Sequence, residues 1–186
     1  MTDSKKSGSI QLTIRSAPFL SEPQGAAAYY ESMGRVVALW GRFESHFGHD
    51  LLTITTLKGG NKLLTPFPRA FQKKIDAWKM CFDRVKVLKP YKKVAREFAA
   101  LVKPIARKRN IVAHGSFWTF VSESPLTGEF QMIVWRGNKF GFQKHHCTLE
   151  EMQQMAVHID NLNTQLTRFS FVLSGLHRDA TKNIFQ

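Results

Sequence analysis

Acidic residues are scarce in this chain. Its 186 residues hold 14 Asp and Glu against 27 Lys and Arg, a formal net charge of +13 at pH 7. Cysteine is scarcer still. Cys81 and Cys147 lie far apart, match no metal spacing, and leave a reduced, cytoplasmic protein without a cofactor as the expectation. No apolar run approaches the length that spans a bilayer, so no membrane partner is expected. The stretch from Met1 to Ser9 lacks the apolar core of a signal peptide. Internal repeats and low-complexity segments are also missing. What remains is an ordinary globular composition, 43% hydrophobic and 22% charged, in a chain long enough for one domain with its own core.

The basic excess is localised. Between Lys58 and Arg109 lie 16 Lys and Arg but three acids, Asp76, Asp83 and Glu97; the remainder of the chain is balanced at 11 of each sign. A one-sided run of this kind is an electrostatic footprint for a polyanion and makes binding sensitive to salt. A solvated face that keeps the protein soluble would look the same.

Hydrophobic periodicity predicts four helices. In Ser21-Glu-Pro-Gln24, Ser21 can cap a helix start, Pro23 suits a first turn and Gln24 can complete a capping box. Tyr29, Met33, Val36, Trp40, Phe43, Phe47, Leu51 and Ile54 then follow at steps of three and four, and Lys58-Gly-Gly-Asn61 ends the helix. Pro66 and Pro68 open a second helix with Phe71, Ile75, Trp78, Phe82 and Val85 on one side. Pro90 opens a third with Val94, Phe98, Leu101, Ile105 and Val112, kinked at Pro104 and stopped at Gly115. The period then changes. Residues 116–121, 130–135 and 139–144 are aromatic and β-branched, with turns at Pro125 to Gly128 and at Gly137-Asn138, which reads as a small antiparallel meander. Its Trp118 and Trp135 are expected to pack the sheet onto the helices, with base stacking as the alternative. Thr148-Leu-Glu-Glu151 is a second capping box. It opens a last helix through Met152, Met155, Ile159, Leu162, Leu166, Phe169 and Leu173, with Gly175 after it. The fold class is therefore mainly α: a four-helix bundle at 21–175 with a β insertion at about 116–146 between the third and fourth helices. Residues 1–20, with a loose strand at Ile10 to Ile14, and 176–186 are tails.

The basic segment ends in Arg109-Asn110-Ile111-Val112-Ala113-His114-Gly115. An Arg–His pair by itself carries little weight, since Arg42 with His49 and Arg107 with His114 fit as well. Asn110 beside the arginine, Gly115 after the histidine, and the position at the end of the third of four helices set this pair apart. The run resembles the hallmark of the HEPN superfamily, an Arg, then usually a polar residue such as Asn, then a few residues and a His. Trp40 followed by Glu44 in the first helix is also similar to that family, and the helix order matches over about 25–175. The resemblance implies a homodimer whose two motifs face one cleft. It implies either a metal-independent ribonuclease of toxin or defence type or an inactive binding or scaffolding module.

The chemistry of the residues is consistent with cleavage. RNA carries its own nucleophile, the 2′-OH. The reaction needs a base, an acid for the leaving 5′ oxygen, and donors for the charge on phosphorus. His114 has the side chain in the motif that titrates near neutral pH. Arg109 stays charged and can fork onto two phosphate oxygens, and Asn110 can orient phosphate or ribose. Glu44 and Arg109 both fall within or beside apolar stripes, so an ion pair between them is expected; it would hold the arginine or simply staple two helices. Lys73, Lys74, Lys92, Lys93, Arg96, Arg107 and Lys108 are the expected RNA contacts. No metal is expected, because His145, His146 and Cys147 would alternate across a strand. The product should be a 2′,3′-cyclic phosphate. Three alternatives stay open: an inactive module that binds nucleic acid or a protein, a toxin acting on a protein or nucleotide, and, for His114, a helix-end histidine bonded to free carbonyls. An antitoxin or other regulatory protein is a possible further partner.

Overall fold

The computed structural model describes residues 22–137 and 139–182. Helix α1 spans Ala26–Thr55, a four-residue helix α2 Gly60–Leu63, and α3 Phe71–Arg84. A 3₁₀ turn at Lys86–Tyr91 leads into α4, Lys92–His114. Strands β1 Ser116–Glu123, β2 Leu126–Arg136 and β3 Lys139–Thr148 form one antiparallel sheet in that order, and α5, Leu149–Lys182, closes the chain. The protein is thus mainly helical, with a small sheet between α4 and α5.

The four long helices bury one aromatic seam. Trp40, Phe43 and Phe47 of α1 meet Phe71, Trp78 and Phe82 of α3, Phe98 of α4 and Phe169 of α5 through ring contacts of 4.6–6.2 Å. Tilted and edge-on pairs of this kind add to the burial of the rings. The face of α4 toward this seam differs from the expected one. Val94 and Leu101 are exposed, and the buried positions are Ala95, Phe98, Ala99, Val102, Ala106 and Val112. Alanines let the backbone of α4 approach its neighbours, so the larger side chains at 94 and 101 are turned out. The helix runs unbroken through Pro104.

Helix ends were anticipated unevenly. Thr148 and Glu151 form the capping box: Thr148 N donates to Glu151 Oε2 at 3.0 Å, and Glu151 N donates to Thr148 Oγ1 at 3.1 Å. The start of α1 is different. It begins at Ala26 after Gly25, which has φ 92°, and Ala26 N donates to the Pro23 carbonyl, so Pro23 and Gln24 lie before the helix. Ser21 and the strand expected at Ile10 to Ile14 lie outside the described residues, as do residues 183–186. Gly175 does not stop α5, which continues to Lys182. Leu176 packs on the core and His177 Nδ1 meets Thr56 Oγ1, just past the end of α1, at 2.8 Å, contacts that offset the helix cost of one glycine.

The strands are longer than expected, and the first turn is shorter, at Ser124-Pro125. Gly128 lies inside β2, where a Cβ would overlap the hydroxyl of Tyr29, and that hydroxyl donates to the Cys147 carbonyl at 2.8 Å. Phe117, Phe120 and Phe130 dock the sheet on Tyr29 and the start of α1. Trp118 and Trp135 do not take part; they are exposed.

One buried acid marks the α1–α5 seam. Asp50 accepts from Ser170 Oγ, 2.8 Å away, and Ser170 Oγ also lies 3.2 Å from His46 Nε2. Burial pushes the Asp50 carboxyl up to about 6, against the opposing pull of the Ser170 hydrogen bond, His46 and His49. The folded state therefore takes up this proton before the unfolded chain does, and stability rises as pH falls through 6 toward 4. Urea unfolding of wild type and Asp50→Asn at pH 8 and pH 5 isolates the effect. Wild type should gain about 1 kcal/mol relative to the variant on acidification, and a constant difference would refute the assignment.

Candidate functional site

The motif sits where α4 runs into β1. Arg109 falls on the helix face that turns toward α1, whereas Asn110 and His114 fall on the solvent face. The long arginine side chain bridges the two. Its guanidinium carbon stands 5.3 Å from the centroid of the Trp40 ring. Its Nη1 donates to Asn110 Oδ1 at 3.1 Å and lies 3.5 Å from His114 Nε2. An arginine nitrogen can only donate, so in this approach His114 Nε2 stands as the acceptor. His114 and Asn110 are exposed and Arg109 is half-buried. Burial lowers the guanidinium's proton affinity, and the charge of Glu44 opposes that shift. Arg109 Nε is buried without a hydrogen-bond partner.

The expected Glu44–Arg109 ion pair does not form. Glu44 Oε1 instead accepts from Lys74 Nζ at 3.2 Å. Glu44 still acts on Arg109 through its field, but the group that supports the guanidinium is the face of Trp40. A flat cation on a ring face of this kind gains about 0.5–2 kcal/mol, depending on desolvation. Trp40 looked like one more core residue in the apolar stripe. Its place four residues before Glu44, on the helix turn that faces Arg109, was the signal.

The expected RNA contacts divide into groups. Lys74 is engaged by Glu44. Lys92 and Arg96 share Asp83, at 3.2 and 2.7 Å. Lys73, Lys93, Arg107 and Lys108 are exposed. Lys108 borders a small cleft with His145, His146, Cys147 and Glu151 on another flank of α4. Reading back from His114 by helical steps gives Asn110, Arg107, Lys103, Ala100 and Arg96 on one face. This stripe is about 27 Å long at 1.5 Å per residue. At its far end Lys79 of α3 joins Arg96, Lys103, Asp83, Ala99 and Ala100 around a trough of about 400 Å³. Lys79 and Lys103, which sequence reading left out, both reach Asp76, at 2.9 and 3.9 Å. Two acids thus face four cations, and Arg107 continues the positive stripe to the motif.

His146 Nε2 lies 3.2 Å from Glu129 Oε2, and among the described residues no group of three His, Cys, Asp or Glu is placed to hold a metal ion. Nor is any described helix long and apolar enough to cross a membrane. Comparison with family models, curated proteins and solved structures returns no match.

A double-mutant cycle of Trp40→Leu and Arg109→Met, followed by urea unfolding, should give a coupling of about 0.5–2 kcal/mol. Additive losses would mean that the ring does not support the cation.

Proposed function

We propose that the chain is a HEPN-like, metal-independent endoribonuclease. The observation that carries this reading is the contact of Arg109 Nη1 with both Asn110 and His114 at the exposed end of a cationic helix stripe. Asn110 and Trp40 hold the guanidinium where it can neutralise a phosphate. His114 takes the proton of the 2′-OH once the bound phosphate draws Arg109 Nη1 off its Nε2. The 2′ oxygen attacks phosphorus, the bond from phosphorus to the 5′ oxygen breaks, and that oxygen leaves with a proton from an acid. The products are a 2′,3′-cyclic phosphate and a 5′-hydroxyl. One motif supplies one histidine, and the reaction needs both a base and an acid. A homodimer with facing motifs, which the resemblance implies, would supply the second. A toxin or defence role, with an antitoxin-like protein that covers the basic stripe, agrees with this chemistry.

The basic stripe, with Arg107 exposed at its end, also favours a second reading, in which the chain binds RNA without cutting it. Incubation with RNA in EDTA separates the two. Wild type should release cyclic-phosphate ends, His114→Ala should lose about 10²–10⁴ of the rate, and Arg109→Ala about 10²–10³. Equal cleavage by all three proteins would sink the nuclease reading. Salt-dependent binding that survives His114→Ala, with no cleavage by wild type, would establish the binding module. Arg107→Ala should weaken binding across sequences and reduce the salt slope by about one.

A further inference from the structure

Beyond Gln131, β2 has no partner in β1. The first register pair is Ser116 with Gln131, and residues 132–136 pair only with 139–143 of β3. This part of the sheet is a two-stranded ribbon. On one of its faces stand Ile133, Trp135, Phe140 and Phe142, with exposures of 61, 71, 64 and 64%. Hydrophobic side chains are seldom left out at this density without a partner. Trp135 lies 5.8 Å from Phe140, and Phe140 6.4 Å from Phe142, with the ring planes at 54° and 89°. The rings do not stack face to face, and each keeps more than half of its surface exposed.

Charge selects the occupant. Between Glu129 and Glu150 the sequence has no acid, but it has Arg136, Lys139 and Lys144, the last of them 3.1 Å from Glu129. Aromatic faces among cations suit single-stranded nucleic acid, whose bases stack while its phosphates are neutralised. A second copy would bring the same positive ribbon on a chain of charge +13. An anionic bilayer would satisfy the charge but has no connection with the motif. The ribbon does have one. Ser116, two residues after His114, pairs with Gln131, and Ile133 and Trp135 follow Gln131 on the same face at two-residue steps. Trp135 is therefore about 14 Å along the strand from the helix end.

We propose that this ribbon is a base-stacking platform for single-stranded RNA that passes through the Arg109–His114 site. The strand lies with its phosphates on the α4 stripe to one side of the motif and its bases on the ribbon to the other. The identity of the polyanion as RNA rests on the ribonuclease reading; the platform itself rests on the exposed rings and their charge.

The test uses the full chain with His114→Ala, so that RNA is not consumed. Binding of an oligouridylate of about a dozen nucleotides is compared with binding of duplex RNA of equal length. Trp135→Ala and Phe140→Ala should each weaken single-strand binding by about five-fold or more. Trp135→Phe should retain most of the affinity, and duplex binding should stay within about two-fold. The rings are exposed, and circular dichroism confirms that each variant is folded. Unchanged single-strand affinity overturns the proposal, as does an equal loss for duplex. So does a loss of vesicle binding on phosphatidylserine, or a shift from dimer to monomer in sedimentation, with RNA affinity intact. Ribbon-dependent binding without cleavage by wild type keeps the platform and removes the nuclease. Cleavage that ignores the ribbon variants does the reverse.

Discussion

A permanent cation on the core side of α4 is the constraint that organises this molecule. Arg109 cannot neutralise itself by giving up a proton, and a buried ion without partners is costly. Three groups make its position tolerable: the face of Trp40, the side-chain oxygen of Asn110, and the field of Glu44. Each comes with a structural condition. Trp40 must stand at the edge of the aromatic seam, so α1 and α4 must cross closely. The small buried residues Ala95, Ala99 and Ala106 keep the inner face of α4 narrow. Asn110 must lie on the outer face, which brings it into line with His114. The guanidinium is therefore held on three sides and leaves one direction, toward His114 and solvent, for an anion.

The basic segment raises a related problem. Most of its cations stand on two adjacent helices, α3 and α4, and would push them apart. The two aspartates of the segment are placed where they help most. Asp83 of α3 holds Lys92 and Arg96 of α4, and Asp76 of α3 holds Lys79 of its own helix and Lys103 of α4. Both carboxyls are held below the usual range by these partners, with hydrogen bonds from Arg96 and Lys79 the leading causes. Exposed pairs contribute little individually, yet here they lace one seam. Of the outer stripe of α4, what these pairs leave over is Arg107, the cation nearest Asn110 and His114.

Much of the fold was legible because it is written in local chemistry. The Thr148–Glu151 capping box, the change of period after Gly115 and the stripe of α1 follow from sequence spacing. Features decided by tertiary packing were not legible. Alanines carry no hydrophobic signal strong enough to outrank Val94 and Leu101, so the buried face of α4 was misread. Gly175 looked like a stop because nothing local reveals that Leu176 packs on the core and that His177 meets Thr56. In the site, Arg109, Asn110 and His114 could be found by motif, and their mutual contacts agree with it. The partner of Arg109 could not, because Glu44 had two cations within reach and spacing could not show that Lys74 would take it. Lys79 and Lys103 were missed for a simpler reason: the basic run was counted along the chain and not around the helix.

Gly115 connects the site to the ribbon. As a helix stop it would be expected in the left-handed region, but it is extended, with φ −75° and ψ 144°. Its value is the space it leaves. A Cβ there would run into the Ile111 carbonyl and press on the side chains of Phe130 and Met132. Without a side chain at 115, β2 can cross directly beside the end of α4, and Ser116 can pair with Gln131 two residues after His114. Any larger residue would meet the Ile111 carbonyl first, so the last turn of α4 would have to give. The glycine therefore lets the chain pass from the end of α4 into the sheet within two residues of His114, so the strand that carries Ile133 and Trp135 starts its run beside the imidazole's helix.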